Sequence, residues 1–477
     1  MNFLVKPWDH QLKAIERASA ERDFAFLMDM GTGKTATTIN VLRHQYAQHQ
    51  GLLRTLVLCP VVVCENWRRE FKTHSKVGDK VHVLHGSEKK RLKDFEYFSK
   101  LPSIFVTNYE ALQMKGLLQA MLNWRPQVLV CDESQRLKNP QAVRTKMAIL
   151  LADLAEHRYI LSGTPLLNSP MDIWSQYRIL DKGETFKDAL GNPLNFYAFR
   201  NRYFFDANAK MPAHVHFPKF IAREGIMAEL NELIYRKAVR VMKDECMDLP
   251  PFTRQRIDVE LAPEQRRVYD EMKRHFIAYL ESGEACTAQI ALTKALRLQQ
   301  IVSGYIKTEA GAEITLKHNP RLEALHELIE DIPPGEKFII WSTFHENYKQ
   351  IGSVLDKLKI PFTELHGGVS GKDRQANIDR FQNDPSCRAI VANQAAGGVG
   401  VNLTAASIAI YYSRNFSLEQ DLQAEARNYR GGSEIHKKIT RYDLVATGTI
   451  DELVLEALAS KMDMATQILT LRAKLKK

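Results

Sequence analysis

The hexapeptide Met30-Gly31-Thr32-Gly33-Lys34-Thr35 follows directly on the apolar run Phe24-Ala25-Phe26-Leu27. A strand, a glycine-rich turn and a Lys-Thr pair opening a helix form a phosphate-binding arrangement. The glycines let backbone N–H groups face phosphate oxygens, and the helix N-terminus adds positive potential. Lys34 reaches the outer phosphates, and the Thr35 hydroxyl ligates magnesium. The strict pattern has a glycine where this chain has Met28, and on its own the segment is also compatible with a flexible turn. A second apolar run, Val128-Leu129-Val130-Cys131, ends in Asp132-Glu133-Ser134-Gln135. Asp132 can sit on the magnesium ion while Glu133 orients and deprotonates an attacking water. Taken alone, the same pair would serve equally well as a helix cap. Third, Arg427 and Arg430 stand three apart in Gln423–Gly432, a spacing that puts both on one face of a helix. Brought to a γ-phosphate, they would stabilise transition-state charge; without the other two motifs they would read as a solvated basic face.

Such groups need a rigid frame. Short apolar runs recur at Thr55–Leu58, Ser103–Val106, Val128–Cys131 and Tyr159–Ser162, and again at Lys337–Trp341, Arg388–Ala392 and Ile408–Tyr412. Longer helix-like stretches separate them, the pattern of parallel sheets covered on both faces. Two such regions predict two α/β domains. Between about residues 175 and 320 strand runs fade and helical spacing dominates. Tyr269, Met272, Phe276 and Tyr279 share a face, and Ala291, Leu292, Ala295, Leu296 and Leu298 continue that character as helix core. Leu249-Pro250-Pro251 reads as a linker.

The 477 residues are 45% apolar and 26% charged, which excludes disorder and a collagen-like chain. Six cysteines are too few for a disulfide scaffold and have no metal-ligand spacing; Cys59 and Cys64 read as core thiols. The net charge of +10 is a mild excess that permits a polyanionic partner without requiring one. The N-terminus meets Lys6 and Asp9 before an apolar core can develop, and the uncharged stretch 389–413 carries Asn393, Gln394, Asn402 and three clustered glycines. No membrane segment is expected, and the chain reads as cytoplasmic.

Taken in order, these motifs resemble a superfamily 2 helicase-type motor of the Snf2 (Swi2/Snf2) family, of a minimal bacterial or phage type. Lys6-Pro7-Trp8-Asp9-His10-Gln11 is similar to the family's adenine-recognition segment, with Gln11 as the implied reader. Asp29–Thr35 resembles motif I, and the family's usual lack of the outer glycine accounts for Met28. Leu58-Cys59-Pro60 with Trp67 resembles motif Ia, and Thr107-Asn108-Tyr109-Glu110 resembles Ib. Asp132–Gln135 stands where the family has a DEAH or DEAQ box, and Leu161-Ser162-Gly163-Thr164-Pro165 resembles motif III. Ile340–Phe344 resembles motif IV, Gln394–Ala405 motif V, and Gln423–Gly432 motif VI. Thr449-Ile450-Asp451-Glu452 with Lys461 resembles the C-terminal brace. Tyr429 replaces the usual motif VI histidine, and Gln135 the more frequent box histidine.

The resemblance implies an α/β fold of two RecA-like parallel-sheet lobes with Snf2-type helical insertions between and on them. It divides the chain into lobe 1 (1–175, ATP-binding), a helical insertion and linker (176–250), a helical insertion of lobe 2 (251–320), lobe 2 (321–448) and a brace helix (449–477). ATP would be bound by Gln11, Met30–Thr35 and Gly400, with Mg2+ on Thr35 and Asp132. Lys34, Asp132, Glu133, Arg427 and Arg430 would carry catalysis. Double-stranded DNA would be gripped through its backbone by Thr107, Asn108, Ser342, Thr343, Gln394 and Asn402, with Gln135, Ser162, Gly163 and Thr164 coupling the two sites. The implied activity is ATP hydrolysis driving translocation on duplex DNA, with a protein partner supplying the target. A strand-separating helicase, the motor subunit of a restriction or defence complex, and an inactive DNA-binding scaffold are the alternatives.

Overall fold

The structure, a computed structural model, describes residues 3–163, 170–209, 218, 220–246, 248–281, 288–307, 313–397 and 401–459. The chain divides into two compact units, Met1–Met247 and Asp248–Lys477.

In the first unit, β1 (Asp23–Met28), β2 (Thr55–Cys59), β3 (Val81–Val83), β4 (Ile104–Asn108), β5 (Val128–Asp132), β6 (His157–Ser162) and β7 (Ala238–Val241) form one sheet in the order β3-β4-β2-β5-β6-β1-β7. Every pairing in it is parallel. The runs expected from sequence are buried along their whole length. Ala25, Leu27, Leu56, Leu58, Phe105, Leu129 and Ile160 enter one core, while the alternating Phe24, Phe26, Val57, Val106, Val130 and Tyr159 are buried on the opposite face. A strand apolar on both faces is stable only between two helical layers, which explains the unbroken runs. In register, Leu27 pairs with Ser162 and Asp132 with Leu161. The carboxyl ends of β1, β5 and β6 are therefore level with one another.

The second unit repeats the plan. Its strands β8 (Phe252–Val259), β9 (Phe338–Trp341), β10 (Phe362–Leu365), β11 (Ala389–Ala392), β12 (Ile408–Tyr411) and β13 (Ile439–Ala446) run parallel in the order β8-β13-β12-β9-β11-β10. Phe338, Ile340, Val391 and Ile410 pack on one face, and Ile339, Trp341, Ile390 and Tyr411 on the other. The stretch where strand runs fade in the sequence nevertheless supplies an edge strand to each sheet, β7 and β8. Among the described residues, no helix is long and apolar enough to cross a membrane; the uncharged stretch 389–413 contains β11 and β12.

The helical stripe has the expected role. Tyr269 and Phe276 of Pro263–Glu281 pack with Ala295 and Leu298 of Ala288–Val302 and with Ile450, Val454 and Leu458 of Ile450–Ala459, with Met272 against the cluster. The side chains of Tyr279, Ala291 and Leu292 and the whole of Lys461 lie outside the described residues. Arg321 pairs with Asp451, whose carboxylate also accepts from the Ala446 N–H at 3.1 Å.

Candidate nucleotide and nucleic-acid site

The loop between β1 and helix α2 (Lys34–Gln48) turns through Gly31 (φ 89°) and Gly33 (φ 83°). A Cβ on Gly33 would lie 2.0 Å from Gln11 Nε2, so both backbone sign and space demand glycine there. Gln11 is 7% exposed; its Nε2 donates to the Thr32 carbonyl at 3.1 Å, and its Oε1 accepts from Trp8 N–H at 3.0 Å. His10 donates to the same carbonyl at 2.9 Å. The proposed adenine reader is thus fastened to the loop it precedes. Helix α2 has no side-chain cap and no acid in its first turn, leaving its first N–H groups oriented towards an anion. Lys34 Nζ donates to the carbonyls of Met28 (2.8 Å) and Asp29 (3.2 Å). Thr35 occupies the first turn, half-buried.

Asp132, at the end of β5, is buried. Its Oδ2 accepts from the Trp67 indole N–H at 2.8 Å and its Oδ1 from the Glu133 N–H at 3.0 Å. Trp67 reaches it because Cys64, Trp67 and Phe71 form the buried face of helix α3 (Cys64–His74). Tyr109 donates to the Asp132 carbonyl at 2.6 Å. Burial, then repulsion from Glu133, pushes the Asp132 carboxyl up to about 7, against the pull of Trp67 and Lys34. Glu133 has φ 53°, uncommon for a residue with a side chain. From it runs a relay: Gln135 Nε2 donates to Glu133 Oε2 at 2.6 Å, and Ser162 Oγ donates to Gln135 Oε1 at 2.9 Å. An amide can accept from one neighbour while donating to the other. Gly163 follows Ser162, and a Cβ there would come 3.4 Å from Lys34 Nζ and 3.2 Å from Met30 Cγ. The end of β6 is therefore in touch with both the lysine loop and the acidic pair. Thr164 lies outside the described residues.

Thr107 and Asn108, expected as DNA contacts, are placed differently. Thr107 is fully buried and Asn108 nearly so at the end of β4. Arg91 Nη1 donates to Thr107 Oγ1 at 3.2 Å and to Asn108 Oδ1 at 2.5 Å, while Asn108 Nδ2 donates to Glu110 at 2.6 Å. Their side chains hold Arg91 instead of facing solvent.

In the second unit the motif residues are also mostly internal. Ser342 is buried, hydrogen-bonded to Asn347 (3.3 Å) and Ser413 (3.1 Å), and the Thr343 N–H donates to Ser413 Oγ at 2.9 Å. Gln394 is buried and donates to Asp421 at 3.4 Å. Asn402 is exposed, its Oδ1 accepting from the Thr404 N–H at 3.2 Å. Gly400 lies outside the described residues. The helix expected to present the arginine pair ends at Glu425, so Arg427 and Arg430 stand on the turns that follow it. Arg427 is buried and donates to the Val401 carbonyl at 3.2 Å. The Leu403 N–H donates to the Arg427 carbonyl at 3.0 Å, which ties the turn bearing Arg427 to the loop before β12. The substituted Tyr429 lies 4.6 Å from the Phe252 ring of β8.

What sequence reasoning missed is a buried ionic network beneath those turns. Arg441, in the interior strand β13, is 2% exposed. It forms a two-pronged pair with Asp421 (3.0 and 3.1 Å) and bonds Glu425 (3.0 Å) and Asp443 (2.8 Å). Arg414 donates to Asp443 at 2.5 Å, and the Arg441 guanidinium lies 3.6 Å from the Tyr411 ring centroid. Burial raises the Asp443 carboxyl, but Arg414 and Arg441 outweigh it and hold the group below its usual range. Asp421 and Glu425 belong to the helix Leu418–Glu425 that precedes Arg427. The available signal was an Arg and an Asp two apart within Ile439–Ala446, an otherwise mostly apolar run. In the first unit the missed group is Lys243, whose N–H donates to Asp29 Oδ2 at 3.1 Å just beyond β7.

The SNF2-related domain matches residues 20–304, and the helicase conserved C-terminal domain matches residues 320–432. The TATA-binding protein-associated factor mot1 of Aspergillus fumigatus is 26% identical over 92% of this chain and 25% of its own length. A putative ATP-dependent helicase/translocase of Bacillus subtilis, YwqA, is 27% identical over 92% of this chain and 46% of its own. The chain thus spans about a quarter of the mot1 relative and under half of the bacterial one. The solved SWI2/SNF2 ATPase core of Sulfolobus solfataricus in complex with dsDNA is 25% identical, with a TM-score of 0.43 over 99% of this chain and 94% of that one. With the first of these domains matching more than half of its residues, the chain belongs to the SNF2-related family.

Proposed function

We propose that the protein is a DNA-stimulated ATPase that couples hydrolysis to translocation along double-stranded DNA. The observation that carries this reading is the relay Glu133–Gln135–Ser162 at the level edge of the first sheet, beside the Lys34 loop. Family membership and the name of the B. subtilis relative support it.

The residues suit a nucleotide with magnesium. Thr35 and Asp132 are hard oxygen donors, and the two adjacent carboxylates of Asp132 and Glu133 repel each other in a buried setting that a divalent cation relieves. Bound Mg2+ would neutralise charge on the phosphates. Lys34 and the first-turn N–H groups of α2 bind the phosphate oxygens, and the Gly33 turn lets them approach. Glu133, steadied by Gln135, orients the attacking water and takes its proton. Arg427 and Arg430 stabilise charge on the transferring group; Arg427 must first release the Val401 carbonyl. Any change at Glu133 is felt at Ser162 through one amide, which gives hydrolysis a route to the nucleic-acid contacts.

DNA contact is assigned to the exposed Asn402. Phosphate contacts carry no sequence information, so binding is sequence-independent and falls with salt. A protein partner supplies the target, to be sought by pull-down from the native host.

The test is ATP hydrolysis by the purified chain with and without duplex DNA, paired with ATP-dependent displacement of a triplex strand. Stimulation by duplex and triplex displacement are expected. Equal hydrolysis with and without DNA overturns the proposal, and separation of a forked duplex assigns the chain to strand-separating helicases instead.

A further inference from the structure

At the edge of the first sheet opposite the nucleotide loop, three metal-binding side chains converge. His49 caps the C-terminus of α2, Glu156 immediately precedes β6, and His157 begins it. One potential ligand atom from each lies within 4.8 Å of the others. We propose that His49, Glu156 and His157 bind a divalent transition-metal ion of the zinc type.

Three observations support this site. The His49 Nδ1 lies 3.0 Å from the Gln45 carbonyl. A carbonyl only accepts, so Nδ1 carries the hydrogen and Nε2 keeps its lone pair. That is the outer-shell bond by which metal-ligating imidazoles are oriented. His157 is 6% exposed, and its Nδ1 is buried without a hydrogen-bond partner. Finally, the C-terminus of α2 presents negative potential to a cation. Arg22 is the opposing charge, and its carbonyl also lies near the His157 ring.

Two imidazoles and one carboxylate suit zinc, cobalt or nickel better than magnesium. Ligand atoms around a tetrahedral zinc stand about 3.4 Å apart. The exposed side chains of His49 and Glu156 can close the present spacing by rotation, leaving a fourth position for water. The ion would staple the end of α2 to the start of β6. Their opposite ends carry Lys34 and Ser162, about 22 Å away along the helix.

The experiment is titration of the metal-free 477-residue chain with Co2+, read by its visible d–d absorption, and with Zn2+, read by thermal unfolding. One equivalent of Co2+ with the intensity of a four- or five-coordinate site is expected, as is a rise in Tm with Zn2+. His49→Ala and Glu156→Ala, both at exposed positions, should each weaken Co2+ by about tenfold or more and remove the Tm rise, with DNA-stimulated hydrolysis unchanged. Binding as tight in both variants as in the parent overturns the proposal. So does loss of the band in Cys64→Ser with retention in His49→Ala, which places the ion elsewhere.

Discussion

Two buried aspartates, one in each sheet, are held in opposite states. Asp132 ends β5 with an indole N–H, a backbone N–H and another carboxylate for neighbours, and its proton affinity is raised. Asp443 lies within β13 between two guanidinium groups, and its proton affinity is lowered. Both sit in low-dielectric surroundings, so the sign is set by whether a fixed cation is adjacent. The first unit leaves its carboxylate in want of positive charge, as a site for a metal–nucleotide complex requires. The second supplies its own cations, and the resulting network locks the helix that leads to Arg427. One unit keeps electrostatic demand for a ligand, and the other satisfies it internally for rigidity.

The sharpest break of this comparison is on the reactive side. Glu133→Gln should lower DNA-stimulated kcat by about 10^2- to 10^4-fold while nucleotide binding persists, measured by phosphate release beside fluorescent-nucleotide titration. On the structural side, Arg441→Met leaves Asp421 buried without its cation and Asp443 with Arg414 alone. It should destabilise the second unit by about 3–5 kcal/mol, read from hydrogen exchange of residues 408–446.

The two aspartates themselves should respond with opposite signs. Asp443→Asn should cost about 1.5–3 kcal/mol by weakening charge-assisted hydrogen bonds. Asp132→Asn should raise the thermal stability of the ligand-free chain by about 0.5–2 kcal/mol and abolish hydrolysis. Their pH windows also separate. Asp443, depressed when folded, contributes stability above its unfolded pKa of about 3.9 that is lost as pH falls through the folded value. Asp132, raised when folded, contributes stability present below about 3.9 that is lost as pH climbs towards about 7. Denaturant midpoints of parent and asparagine variants from pH 3 to 8 check both slopes. The smallest effect is expected at the relay's far end. Ser162→Ala removes one neutral hydrogen bond, about 0.5–1.5 kcal/mol, and should reduce DNA stimulation more than basal hydrolysis.

Much of this frame was legible in the chain. Continuous apolar runs such as Val128–Cys131 mark strands buried on both faces, and their glycine and acid termini mark the reactive edge. The edge strand β8 was not legible because Arg254, Gln255, Arg256 and Asp258 interrupt its apolar pattern. Strand β13 was hidden for a related reason: Arg441 and Asp443 interrupt its apolar pattern, whereas inside the fold they neutralise each other. Spacing alone puts the arginine pair on a helix because it cannot show where a helix ends; Glu425 is its last residue. Motif position makes Thr107 and Asn108 DNA contacts, and their burial under Arg91 depends on how the preceding helix, Glu88–Phe98, packs against the end of β4.

By itself the sequence determined the local devices: a glycine turn before Lys34, an acidic pair after a strand, two parallel-sheet units and their order. These follow from short-range sterics and periodicity, which a few neighbouring residues specify. Only the tertiary structure decided which polar groups meet. Trp67 reaches Asp132, Gln135 bridges Glu133 to Ser162, and Arg441 gathers three carboxylates. The charge state of each aspartate follows from those meetings, because proton affinity depends on neighbours brought together through space from distant parts of the chain.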